Sequence, residues 1–257
     1  MKASSITAPI AATAVAFLVL ITHATGQQPA AVRVLASNGV KAVIEELVPR
    51  GERAIGHPLA ITFNSSQALK QGIDKGDAFD VAIMTTEMID ELIKEGRIVA
   101  GTQAGVARSG IGVGIRSGAP KPAIKTAAAI KRTLLDAKAI TYAQDGASRV
   151  HILEMLDHLG IADQVGRKTI LEQGSVRSAG RVADGDADLI MTLISEILPI
   201  KGVELVGPLP SEFQSYVTLA AGVGAKAGNP ESARALIRFL TSPDIAPTLT
   251  AKGMERP

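Results

Sequence analysis

The chain has 257 residues, 46% hydrophobic and 20% charged, which fits one large domain or two lobes of about 100 residues each. It holds no Trp, two Tyr and five Phe, too few for the stacking platforms of a sugar cleft or a single-strand nucleic-acid groove. A net charge of +2 on scattered Lys and Arg gives no nucleic-acid footprint, and the lack of Cys excludes disulfides, Cys-ligated metals and a thiol nucleophile.

Residues 1–26 read as a cleaved export signal: Lys2 gives a positive start, Ile10 to Ile21 is apolar, and Ala24-Thr-Gly26 offers small residues for cleavage. No Cys follows the apolar run, so no lipid attachment site is present. The mature chain opens on Val32-Arg-Val-Leu-Ala-Ser-Asn-Gly-Val40. Its first half is a buried strand, Ser37-Asn38-Gly39 is a tight polar turn, and Val40, Val43, Ile44 and Leu47 recur with helical period. A strand that stops and restarts as a helix leaves backbone N–H groups free for an anion.

The same unit recurs. Leu59–Phe63 is a strand ending at Asn64-Ser65-Ser66, a chance match to a glycosylation sequon, and Gln67–Ile73 is a helix. Phe79–Met84 is a third strand, with Thr85 or Thr86 capping a helix over Glu87–Lys94. Three such units predict a parallel α/β sheet. Gly110-Ile-Gly-Val-Gly-Ile115 reads as a strand with one bare face rather than a dinucleotide loop, because Ser117–Pro122 follows it and no helix does.

A second run of units then starts: a helix over Thr126–Ala137, a strand over Ala139–Ala143, a polar turn over Gln144–Ser148 and a helix over Val150–Leu159 closed by Gly160. Ile170-Leu171 is a short strand, and Gly174–Ser178 opens a helix. Ala187–Leu193, Val203–Val206 and Tyr216–Val223 read as strands. Asn229 and Pro230 cap and start a last helix whose body is Ala233–Leu240. This predicts two lobes, 27–116 plus 205–257 and 117–204, with a ligand cleft between them.

Four turns place a small or polar residue at a helix N-terminus: Ser37-Asn38-Gly39, Ser65-Ser66, Gly146-Ala147-Ser148 and Ser175-Val176-Arg177. Singly these are ordinary caps; four at successive strand ends point to an anion cleft. Arg108, Arg149 and Arg177 lie beside those turns or at the lobe crossing, and a guanidinium fork suits a carboxylate. Catalytic signals are poor. The mature chain has His57, His151 and His158 without a metal spacing, and it carries no nucleophile elbow, zinc motif or Walker loop. Asp184, Asp186 and Asp188 read as a solvated turn rather than a calcium loop. Neither metal, cofactor nor enzyme activity is expected.

The export signal, Val-Leu-Ala-Ser-Asn-Gly near the mature start, Phe63-Asn-Ser-Ser66 with Lys-Gln-Gly-Ile-Asp-Lys-Gly-Asp-Ala-Phe-Asp80, and the closing Ala-Leu-Ile-Arg-Phe-Leu-Thr-Ser-Pro243 resemble the molybdate-binding protein family. The resemblance spans nearly all of the mature chain. It implies the type II bilobal fold of periplasmic receptors for ABC importers, working as a monomer with a membrane permease. Carried across, the oxyanion donors fall on Gly39 with Ser37 and Asn38 beside it, on Ser66 with Ser65 adjacent, and on the backbone of Ser148 and Val176. Two departures stand out. Gly39 replaces the first-loop serine, and the family's late-strand tyrosine falls at about Leu193. The ligand is therefore either a molybdate- or tungstate-like oxyanion or a small organic carboxylate held by the Arg residues. An exported enzyme on the same fold and a receptor for a signalling partner are the rival readings.

Overall fold

A computed structural model describes residues 30–257. The expected export signal lies outside the described residues. The first sheet is built from β1 (Val32–Ser37), β2 (Leu59–Asn64) and β3 (Val81–Thr85), with β1 parallel to both neighbours. β3 is buried along its whole length and β1 everywhere but at Arg33, as befits interior strands covered on both faces. β2 alternates between half-buried and exposed residues because it is the edge. α1 (Lys41–Ile55) and α2 (Ser66–Lys75) connect the three strands, and α3 (Thr86–Lys94) follows β3. α1 follows a single 3-10 turn over Asn38–Val40 and buries Val43, Ile44 and Leu47. Thr85 is the N-cap of α3 but makes no side-chain cap bond.

β4 (Ala104–Arg116) then runs through the whole molecule. Its first half pairs antiparallel with β9 (Tyr216–Val223), which in turn pairs with β3. Its second half pairs antiparallel with β7 (Leu189–Leu193) and β8 (Val203–Pro208). Beyond β7 lie β5 (Ile140–Ala143) and β6 (Thr169–Glu172), all three parallel. The helices of this half are α4 (Ala127–Asp136), α5 (Arg149–His158), α6 (Ala162–Gly166), α7 (Ser175–Asp184) and α8 (Ile194–Ile197). The chain closes with α9 (Pro230–Leu240) and α10 (Ala246–Ala251).

Two details differ from the expected lobe division. β4 changes partners at Gly110/Ile111, earlier than the expected exit at 116. β8, expected to return to the first lobe, instead pairs with Gly112–Arg116 in the second sheet. Packing explains the second point: Leu205 covers Gly112 and Val203 covers Gly114, each lying 3.0 Å from where a Cβ would be. Ile190, Ile194 and Ile197 fill the rest of that bare strand face. The Gly-x-Gly run is thus a packing surface, not a phosphate loop.

Apolar burial divides accordingly. One core gathers β1, β3, α1 and α9 around Val34, Ile83, Leu47 and Leu236; another gathers Ile111, Val113, Ile140, Ile152 and Leu189. Each fully buried Leu or Ile stabilises its half by on the order of 2 kcal/mol. Asn229 caps α9 by accepting from the Ser232 N–H at 3.2 Å, with Pro230 in its first turn, as the sequence predicts. Among the described residues no helix is long and apolar enough to cross a membrane.

Candidate functional site

The four turns end up at the junction of the two sheets, but they do different jobs. Ser37 is buried at the end of β1, and its Oγ accepts from the Gly39 N–H at 3.3 Å. Asn38 is half-buried beside it. Gly39 is walled in: a Cβ there would lie 2.9 Å from Leu219 Cδ1 and 3.2 Å from Leu193 Cδ1. The two departures from the family pattern are therefore one event in space. A serine at 39 would press on the ends of Leu219 and Leu193, and an apolar wall stands where two hydroxyl donors were expected.

Ser65 caps α2, accepting from the Ala68 N–H at 3.1 Å. Its hydroxyl donates to Asp145 Oδ2 at 2.6 Å, across the junction. Asp145 Oδ1 accepts from the Gly174 N–H at 2.8 Å, at the start of α7. Gly174 has φ 79°, a left-handed backbone that glycine adopts without a Cβ clash. One carboxylate thus joins two helix N-termini on opposite sides. Ser66 is buried, and its Oγ accepts from the Thr85 N–H at 3.1 Å, leaving its own proton to donate.

Between these groups opens a cleft of about 430 Å³. The first sheet contributes Ser66, Gln67 and Thr85; the second contributes Gln144, Asp145 and Arg149. Tyr216, Val217 and His151 close its rim. A chamber of about 370 Å³ adjoins it and shares Gln67, Gln144, Asp145 and Arg149, with Gln71 and Gln173 added. Arg149 is the arginine that lines both chambers. Its Nε is buried and meets no hydrogen-bond acceptor among the described residues. Nearby, burial pushes the Tyr142 hydroxyl up, and the positive charge of Arg149 opposes that rise. Ser148 is buried at the N-cap of α5 and makes no side-chain cap bond.

Of the expected residues, Ser66 and Arg149 line the cleft; Ser37, Asn38, Gly39, Ser65 and Ser148 stand behind its wall, and three more are engaged elsewhere or turned to solvent. Arg108 is held by Glu255, with Nε donating to Oε1 at 2.9 Å and both backbones paired; its guanidinium stacks 4.9 Å from the Tyr216 ring. Val176 is 55% exposed and is not part of the cleft wall. Arg177 is exposed, with Nε turned back onto the Gln173 carbonyl at 2.9 Å. In α7 it is Ser175 that is buried, and it hydrogen-bonds Glu196. Burial pushes the Glu196 carboxyl up, and the negative charge of Asp145 adds to that. Hydrogen bonds from Thr192, Ser175 and the Leu193 N–H pull the other way without cancelling it.

Sequence reasoning passed over Asp145, Gln67, Gln144 and Thr85. The available signal was the Asp145-x-x-x-Arg149 spacing, which sets opposite charges about one turn apart at a helix start. Among the described residues no three His, Asp or Glu side chains converge to hold a metal ion.

Comparison with known proteins agrees with this architecture. Residues 32–255 match the family described as bacterial extracellular solute-binding protein. A Pseudomonas sp. protein named aconitate isomerase is 29% identical over 229 residues, covering 86% of each chain. The periplasmic molybdate-binding protein of Azotobacter vinelandii superposes with a TM-score of 0.75 at 17% identity, over 88% of this chain and 99% of that one. The binding protein AgtB from A. tumefaciens R10, in complex with agropinic acid, gives 0.64 at 12% identity over 88% and 83%. At these identities the two structures share the fold.

Proposed function

We propose, since the chain belongs to the bacterial extracellular solute-binding protein family, that it is the receptor of an ABC importer and closes on a small organic acid. The lobes of this reading are 30–110 with 216–257, and 111–208. The hinge lies at Gly110/Ile111 and in the 209–215 connection, where the strand pairing changes sheets. The observation that carries the ligand class is Arg149, a guanidinium in the interlobe cleft whose buried Nε meets no acceptor among the described residues. A bidentate carboxylate is the ligand group that such a fork fits best. Two further points support it. The cleft volume of about 430 Å³ falls among organic-ligand sites, roughly 300–1,000 Å³. The apolar wall of Leu193 and Leu219 against Gly39 removes donors that a bare tetrahedral oxyanion needs. Closure is a population shift, in which a ligand touching both lobes favours the closed state.

The test is calorimetric titration of refolded, ligand-free protein with molybdate, tungstate, sulfate and a panel of di- and tricarboxylic acids. At least one carboxylate binds, and Arg149→Ala weakens it about a hundredfold, the scale of a charge-assisted bidentate contact. Binding confined to molybdate and tungstate, or an Arg149→Ala variant with unchanged affinity, sinks the reading.

The relative named aconitate isomerase favours a second reading, an exported isomerase of an unsaturated organic acid. Proton NMR of aconitate in D2O with the protein separates the two. Solvent deuterium entering the substrate establishes the isomerase; an unchanged spectrum alongside measurable binding leaves the receptor.

A further inference from the structure

The cleft lined by Arg149, whose Nε meets no acceptor among the described residues, also holds two carboxylates, Glu87 and Asp145, and Asp145 lines both of its chambers together with Arg149. For a site that takes an anion this is a contradiction unless the ligand has two kinds of group. Asp145 is half-buried and already accepts two hydrogen bonds, from Ser65 Oγ at 2.6 Å and from Gly174 N at 2.8 Å. Both donors are neutral, so its charge is oriented but not cancelled. A carboxylate has about four lone-pair sites, so each oxygen retains acceptor capacity in a residue that lines the cleft. A ligand carboxylate placed there is repelled. A ligand O–H or N–H placed there gains a charge-assisted bond and replaces the water that it displaces.

We propose that Asp145 is a specificity-determining residue: it accepts a hydrogen bond from a hydroxyl or ammonium group of the organic acid whose carboxylate rests on Arg149. The cleft then selects hydroxy or amino acids over the same carbon skeletons without the donor. Gln67 and Gln144, amides on opposite walls, read the remaining carboxylate oxygens as neutral donors. This rests on the organic-acid reading above. It goes beyond it by naming the second pole of the ligand.

The experiment uses two skeletons with and without the donor: succinate, malate and aspartate as one series, tricarballylate and citrate as the other. Each is titrated by calorimetry into the full-length mature protein and into Asp145→Asn and Ser65→Ala. In at least one series the wild type prefers the donor-bearing member by tenfold or more, because a site built around an acceptor rejects a ligand that leaves it unpaired. Malate against aspartate tells hydroxyl from ammonium. Asp145→Asn brings the preference close to one, while the affinity for the donor-free acid holds or rises. Ser65→Ala removes the bridge across the junction but keeps the carboxylate, so it changes absolute affinities and preserves the preference.

Equal wild-type affinity for the paired acids overturns the proposal and leaves the organic-acid reading standing. So does an Asp145→Asn variant that weakens all members of a series by the same factor, since that is the signature of a purely structural bridge. If neither series binds while molybdate does, the organic-acid reading falls and takes this proposal with it.

Discussion

Two Arg–Asp combinations in this molecule use the same residue types to opposite ends. At one corner of the first sheet, Asp80 is buried and collects four donors. Arg33 contributes Nε at 3.0 Å, Nη2 at 2.9 Å and its own N–H at 2.7 Å; Gly228 contributes an N–H at 2.7 Å. In the cleft, Asp145 meets only neutral donors, and Arg149 Nε meets no acceptor among the described residues. The first combination is closed on itself and ties β1 to the loop before β3 and to the approach to α9. The second is held apart, and its unused capacity is what a ligand can claim. A fully satisfied pair serves the fold; a separated pair serves recognition.

Breaking the closed pair has the largest effect. Asp80→Ala strands the Arg33 and Gly228 N–H groups together with the guanidinium, at a cost of about 3 kcal/mol. Thermal unfolding followed by circular dichroism should show a melting temperature lower by roughly 6–10 °C for a chain of this size. The pH dependence has a definite sign. Burial pushes the Asp80 carboxyl up, but hydrogen bonds from the Arg33 side chain and from the two N–H groups bring it below its ordinary value of 3.8. Its contribution is therefore complete above that value and fades as pH falls through the depressed one. A variant as stable as wild type at neutral pH contradicts the comparison.

Glu196 is intermediate. Its folded carboxyl is raised by burial first, so it favours the fold while protonated and loses that contribution as pH climbs from the ordinary 4.5 through the raised value. Glu196→Gln keeps the shape and removes the titration. Its melting temperature should exceed wild type under mildly alkaline conditions. The gain should vanish once the solution is more acidic than the unfolded glutamate value. A gain that is flat with pH assigns the effect to packing instead. The smallest effect belongs to Arg108. Since Glu255 and Tyr216 already hold it, Arg108→Ala should leave organic-acid affinity within about twofold of wild type, less than one hydrogen bond is worth. A tenfold loss by titration would return it to the site.

What was legible in the sequence follows from range. The repeated strand, polar turn and helix could be read because each is local: β1 with α1, β2 with α2 and β3 with α3 show their periods within a dozen or so residues. The caps Ser65, Thr126 and Asn229 bond as their types predict. α6, α8 and α10 were missed because four to six residues do not complete a readable helical period. Arg108 misled because its partner, Glu255, is 147 residues away. Gly39 and Leu193 could each be seen as a departure, but not that they touch. Asp145 passed for an ordinary turn residue, since its two partners come from Ser65 and Gly174, far apart in the chain.

The position of β9 has a consequence for how the chain is made. It lies between β3 and β4, yet it is synthesised after every strand of the second sheet. Until residues 216–223 are in place, β3 and the first half of β4 have no common neighbour, and the first sheet stays open at its centre. Such late, long-range closure makes folding slow. The second sheet, whose strands run from 111 to 208 without interruption, can be complete while the first still awaits its middle strand.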